Sequence, residues 1–206
     1  MKKIFGCALS LLFLTSILNS CSSKEDKEEV TITYKLSDQV VYTQKIEKGS
    51  ELGSIYIYES INHQSYCSTW MDDDGTIYEN TTVINSDITL MGEPRSSLIL
   101  FTTPENEFVF VNGFNHVHSD GKVVILSSYY DKAVNIGVGA ISNDENIKEL
   151  YLPSTLNRIY DNNFVDCPNL TTIYFEGDEN TWSSIPNSSD IPDTVSLVFN
   201  SSFQLY

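Results

Sequence analysis

The stretch NIKELYLPSTLNRIYDNNFVDCPNLTTIYF, residues 146–175, matches itself when shifted by 23 positions. The shift lays Asn146 on Asn169, Ile147 on Leu170, Leu150 on Ile173 and Leu152 on Phe175. Just upstream it lays Ile136 on Ile159 and Ile141 on Phe164. A period in the twenties marks a solenoid, because each unit is one coil whose apolar side chains find cover only on the coils above and below. Strand residues alternate between two faces, so Leu150 and Leu152 point inward, Tyr151 points outward, and Tyr174 repeats it one coil later. Neighbouring strands stand about 4.8 Å apart, which sets the two rings side by side on an open sheet face. Two roles suit such a pair: a cross-strand contact that stabilises the ladder, or an aromatic platform for a sugar or a partner protein.

The spacings Ile147-x-x-Leu150-x-Leu152 and Leu170-x-x-Ile173-x-Phe175 follow the L-x-x-L-x-L strand of leucine-rich repeats. With ELYLPSTLNRI and NNFVDCPNLTTIYF, the region from about residue 122 to 200 resembles the BspA-type leucine-rich repeat of bacterial surface proteins. The resemblance implies a role in adhesion and makes Cys167 an inward-facing loop residue. EGDENTWSSI reads as a degenerate final turn and VSLVF, residues 195–199, as a closing strand. Only two repeats are clear, so flanking caps must contribute much of the buried area. Upstream, FVFVNGF and GKVVILSS read as two strands around turns at Asn112-Gly113 and Asp120-Gly121, a hairpin region suited to cap the solenoid.

Residues 30–92 have a different grammar. VTITYKL alternates apolar and polar residues, VVYTQKI follows after Ser37-Asp38-Gln39, and the pair signals a hairpin. The order KGSEL, Trp70, DDDGTIY and TTVINSDITL then resembles the internalin-type B-repeat, or Listeria-Bacteroides repeat. That implies a small β-grasp-like domain of the kind used as a stalk or spacer. The expected architecture is therefore mainly β: a β-grasp-like domain over 30–92, a linker and N-terminal cap hairpin over 93–121, and a short capped leucine-rich repeat solenoid with a C-terminal cap over 122–206. Pro94 marks the seam.

The first residues belong to neither unit. Lys2 and Lys3 precede an uncharged stretch containing ALSLLFLTSIL, residues 8–18, and residues 1–20 read as a secretory signal peptide. Leu18-Asn19-Ser20-Cys21 resembles a lipobox, which implies that Cys21 carries the lipid that anchors the chain to a membrane. An ordinary signal peptide with a chance cysteine is the alternative. Residues 21–29 form a charged tether. Within it, Lys24-Glu25-Asp26 resembles the export signal of Bacteroidetes surface lipoproteins, implying the outer face of the outer membrane; a plain spacer is the other reading.

The chain carries 12 basic and 28 acidic residues. Removing residues 1–20 takes Lys2 and Lys3 and no acid, leaving 10 basic against 28 acidic, a net −18 that disfavours nucleic acid and anionic lipid surfaces as partners. With Cys7 in the signal and Cys21 lipidated, Cys67 and Cys167 remain, in different units, and read as two buried thiols rather than a disulfide. His116 and His118 have the spacing of a metal pair on a strand, but only the distant His63 is at hand to add a ligand, so they read as turn histidines and no metal is expected. Asp72-Asp73-Asp74-Gly75 lacks the ligand order of an EF-hand and reads as a solvated turn. Asp193-Thr194-Val195 resembles a Bacteroidetes O-glycosylation sequon, with Thr194 the acceptor. No cofactor is implied, and no Ser-His-Asp order, nucleotide-binding glycine loop or carboxylate pair of a glycosidase stands out. The expectation is a non-enzymatic lipid-anchored surface protein whose repeat domain binds a protein or glycan on a host or neighbouring cell, with Tyr151 and Tyr174 as the candidate contacts. The alternatives are a glycan-binding accessory protein beside an outer-membrane transporter, or a hydrolase with unplaced carboxylates.

Overall fold

Two buried apolar clusters with no residue in common organise the chain, one in each half. The structure is a computed structural model and describes residues 27–188 and 190–204; the signal segment and Cys21 lie outside them. Among the described residues the chain is mainly β, with a single short helix.

In the N-terminal half, β1 (Glu29–Leu36) and β2 (Gln39–Glu47) form the hairpin expected from their alternation, with Val30, Ile32 and Tyr34 buried on one face. Six short strands follow: β3 (Ser50–Glu51), β4 (Tyr58–Glu59), β5 (Ser65–Cys67), β6 (Trp70–Met71), β7 (Ile77–Tyr78) and β8 (Val83–Ile84). Then β9 (Ile88–Gly92) runs parallel to β1, giving the sheet order β2-β1-β9-β6-β7. Trp70 is fully buried; its indole N–H donates to the Tyr56 carbonyl at 2.6 Å, and its ring meets Tyr34 edge-on at 5.0 Å. A Cβ on Gly92 would lie 2.6 Å from Cys67 Sγ and 2.8 Å from the Trp70 ring, so the core closes only because β9 ends without a side chain. Between β6 and β7, Asp72 accepts from the N–H groups of Asp74 and Thr76 and from the Tyr78 hydroxyl, so its carboxylate closes a hairpin turn.

The C-terminal half is a β-solenoid-like arrangement. β10 (Arg95–Ser96) still pairs with β5, after which β11 (Leu98–Phe101) lies antiparallel on β12 (Phe108–Phe114). From β12 the chain alternates between two sheets through β13 (Lys122–Val124), β14 (Ala133–Ile136), β15 (Glu149–Leu152), β16 (Arg158–Ile159) and β17 (Thr172–Phe175). One sheet has the order β11-β12-β14-β16; the other is β13-β15-β17 with β18 (Ser196–Val198) at its edge. Every neighbour along each stack from β12 and β13 onward is parallel. The register reproduces the sequence repeat: Leu150 faces Ile173, Leu152 faces Phe175 and Ile136 faces Ile159. Ile136, Ile141, Ile147, Leu150, Ile159, Ile173 and Phe175 are all essentially inaccessible, and each such burial contributes roughly 1.5–3 kcal/mol before entropy is counted.

More coils exist than the repeat disclosed. Val123 pairs with Leu150 across 27 positions and Thr172 with Ser196 across 24, so the first and last rungs escape a search at 23. The earlier coil is lengthened by the loop holding Tyr130 and Asp131, both at positive φ. Asn112-Gly113 is not a turn: β12 continues through it, with a register shift against β11 between Val111 and Phe114. EGDENTWSSI holds the helix α1 (Glu179–Ser184), capped by Asp178 accepting from the Thr181 N–H at 2.7 Å. Its one buried residue, Trp182, packs edge-on against Phe175 at 5.0 Å and covers the core. Cys67 is buried and free, whereas Cys167, also free, is only half-buried against the solenoid core.

Candidate functional site

Parallel pairing of β15 with β17 sets Tyr151 beside Tyr174, their rings stacked with centroids 4.6 Å apart and planes 13° from parallel. The row continues on both sides, Val124 to Tyr151 to Tyr174 to Val198, across four strands. Cover declines along it: Val124 is buried, the two tyrosines are half-buried, and Val198 is exposed. Phe203, in the C-terminal tail, stands edge-on to Tyr151 at 5.1 Å, and the Tyr151 hydroxyl donates to Glu149 at 2.9 Å. Burial, followed by that carboxylate, pushes the Tyr151 phenol far above its ordinary range, so it is a neutral donor. Tyr151 is thus engaged within the fold, and the open part of the row is Tyr174 and Val198. Thr194 is exposed in the turn before β18, reachable by a modifying enzyme.

The opposite sheet of the solenoid presents a wider concavity, which sequence reasoning missed. Phe101, Phe110, Asn112, Gly137, Val138 and Tyr160 line an open basin of about 550 Å³. Val109 and Val111 are fully buried, so the alternation of β12 turns Phe110 outward. Phe101 pairs with Phe110 across the β11–β12 hairpin, and Tyr160 approaches from the coil above with its centroid 5.9 Å from that of Phe110. The Arg158 guanidinium stands 5.4 Å over the Tyr160 ring. A Cβ at Gly137 would collide with Asn112 Oδ1, so glycine there makes room for the Asn112 amide. Rings with one amide and one guanidinium nearby can take the C–H face of a sugar and hydrogen-bond its hydroxyls. A larger groove of about 780 Å³ beside Cys167 is bordered by Asp144, Glu145 and Asp166, whose like charges repel an anionic ligand, and its lining holds one aromatic residue, Phe164. The signal in sequence was FVFV itself, whose outward phenylalanines mark an apolar face that needs an explanation.

A third cluster lies where the two halves meet. The turn between β4 and β5, with β5 itself, docks on residues 116–129: Gln64 donates to the Val124 carbonyl at 2.8 Å and accepts from the Tyr129 hydroxyl at 2.9 Å, while Tyr66 stacks on His116 at 4.6 Å. Burial pushes the Tyr129 phenol up to about 12. Glu59 accepts from His116 Nε2 at 2.6 Å and from the Ser119 N–H and hydroxyl. Burial alone would raise the Glu59 carboxyl, but the bonds from Ser119 and His116 outweigh it and hold it below its ordinary range. His63, remote in sequence, reaches His118 with ring centroids 4.0 Å apart and Asp120 with Nε2 to Oδ2 at 3.2 Å. The ligand atoms of His63, His118 and Asp120 all lie within 4.8 Å of one another. The His118–Asp120 spacing was legible in sequence; the arrival of His63 depends on how the halves dock.

Compared with known proteins, the chain matches no family model, no curated protein and no solved structure. Among the described residues no helix is long and apolar enough to cross a membrane.

Proposed function

We propose that this protein is a non-enzymatic, lipid-anchored surface protein that binds glycans through its solenoid. In this reading Cys21 carries the lipid in the outer membrane, Lys24-Glu25-Asp26 directs the chain to the exterior, and a β-grasp-like B-repeat domain spaces the binding domain from the membrane. The solenoid is then a short leucine-rich repeat domain of the BspA type. The observation that carries the binding role is the basin of Phe101, Phe110 and Tyr160 around Asn112. Its rings accept the apolar face of a pyranose, and Asn112 and Arg158 offer hydrogen bonds to hydroxyls. The net negative charge favours neutral sugars over polyanions.

A glycan array tests the reading. Wild-type protein should bind a restricted set of neutral glycans, and Tyr160→Ala or Phe110→Ala should weaken binding about tenfold or more, since an aromatic contact is worth roughly 0.5–1.5 kcal/mol beyond its buried area. A dark array, or binding that survives both substitutions, would refute it, and turnover of a bound glycan would replace binding with catalysis. Protease shaving of intact cells tests the anchor separately, since an exterior protein is released. A second reading, adhesion to a host or neighbouring-cell protein, is favoured by exposed Val198 beside Tyr174 on the edge strand β18. Tyr174→Ala would then reduce cell adhesion while Tyr160→Ala would not.

A further inference from the structure

The geometry points to a divalent transition-metal site at the junction of the two halves, formed by His63, His118 and Asp120 and of the class that takes Zn²⁺. Each imidazole turns one nitrogen towards the shared carboxylate of Asp120. His63 Nδ1 lies 3.1 Å from the Ile61 carbonyl and Nε2 lies 3.2 Å from Asp120 Oδ2; in the tautomer whose Nδ1–H donates to that carbonyl, the Nε2 lone pair is free for a metal. His118 Nδ1 lies 3.0 Å from Asp120 Oδ1 and accepts from the Asp120 N–H at 3.4 Å, while its Nε2 faces Glu59 Oε2 at 3.5 Å. A neutral imidazole has one N–H, so with the outer nitrogens carrying it each ring presents a lone pair on the side of Asp120. A single divalent ion would take one nitrogen from each ring and the carboxylate as its ligands, three groups whose ligand atoms lie within 4.8 Å of one another.

Distances agree with that assignment. Ligand atoms around a tetrahedral zinc stand about 3.3 Å apart, given metal bonds of roughly 2.0–2.1 Å. The two nitrogen–carboxylate separations, one to each oxygen of Asp120, are close to it, and one ligand atom from each residue lies within 4.8 Å of the others. The surroundings hold the ligands still: Phe203 packs edge-on against His63 at 4.7 Å, His63 is 8% exposed and has a left-handed backbone at φ 61, and Glu59 is gripped by His116 and Ser119. Asp120 is the most exposed ligand, so a fourth position opens to solvent on its side. Because His63 belongs to the β4–β5 turn and the other two ligands to the segment entering β13, the ion fastens the two halves of the molecule. That fixes the angle at which the solenoid is held.

The test uses the full chain in detergent, without a polyhistidine tag, stripped with chelator and titrated with ZnCl₂ by calorimetry. One saturable equivalent and a rise in melting temperature are expected. Asp120→Asn and His118→Ala should each weaken binding at least a hundredfold, and Glu59→Gln, which touches His118 from outside, about ten- to a hundredfold. Co²⁺ added to the unaltered chain should give visible absorption displaced from that of the aqueous ion, a readout independent of how the variants fold. A Co²⁺ spectrum identical to the free ion, absence of saturable Zn²⁺ uptake, or uptake undiminished in His118→Ala and Asp120→Asn would overturn the proposal.

Discussion

Ile173→Ala tests the solenoid core where the packing is tightest. Ile173 is fully buried and faces Leu150 on β15 and Leu197 on β18. Truncation removes three carbons, worth about 2.4 kcal/mol at roughly 0.8 kcal/mol per buried methylene, and the cavity left between stacked strands raises the loss to about 3–4 kcal/mol. The two buried tryptophans report on different cores, Trp182 in the solenoid and Trp70 in the N-terminal half. Urea unfolding would be followed by fluorescence in Trp70→Phe and Trp182→Phe backgrounds, so that each transition is read alone. With a slope of about 2 kcal/mol per molar urea, the Trp182 transition should move down by roughly 1.5–2 M. The Trp70 transition should move by less than about 0.5 M, because the junction between the halves is made of hydrogen bonds and rings at its edge rather than a shared apolar core. A Trp182 shift below about 0.5 M would refute the packing argument, and equal shifts of both transitions would refute the independence of the cores.

Gly137→Ala should destabilise the chain by about 1–3 kcal/mol through overpacking against Asn112 and the Val111 carbonyl, and Asn112→Ala in the same chain should recover part of the lost melting temperature. Asp178 should tie the order of α1 to pH: the Thr181 N–H, first among its partners, holds its carboxyl below the ordinary 3.8, so the cap is complete above that value and is lost as pH falls through the folded value. Hydrogen exchange at the Thr181 amide, corrected for its intrinsic pH dependence, should therefore lose protection in acid, a loss absent from Asp178→Ala. Burial pushes both thiols up, but Cys67 is 2% exposed while Cys167 is half-buried, so maleimide should label Cys167 first and Cys67 only on unfolding, read by peptide mass spectrometry.

Legibility followed the range of the interactions. The inward set of β15 and β17 was readable because pleating alternates side chains within a few residues, and the register then lays Leu150 on Ile173 as the repeat implies. The same alternation put Tyr151 beside Tyr174, yet could not show that Phe203 returns from the tail to cover Tyr151. Asn112-Gly113 misled because that dipeptide favours a turn only where the chain is free to reverse; here parallel pairing with β14 keeps the strand extended to Val111, and Gly113 at φ 141 carries it on. The first and last rungs were hidden because loop length varies between coils while strand stacking does not.

By itself, then, the sequence determined the strand-rich character and the inward and outward faces of the repeats, since both are written in local periodicity and composition. Only the tertiary structure decided that Phe101, Phe110 and Tyr160 enclose a basin and that His63 meets His118 and Asp120. The physical reason is that a side chain's face is set by its own backbone, whereas its neighbours across a sheet or a junction are set by how separately folded layers come to rest against each other.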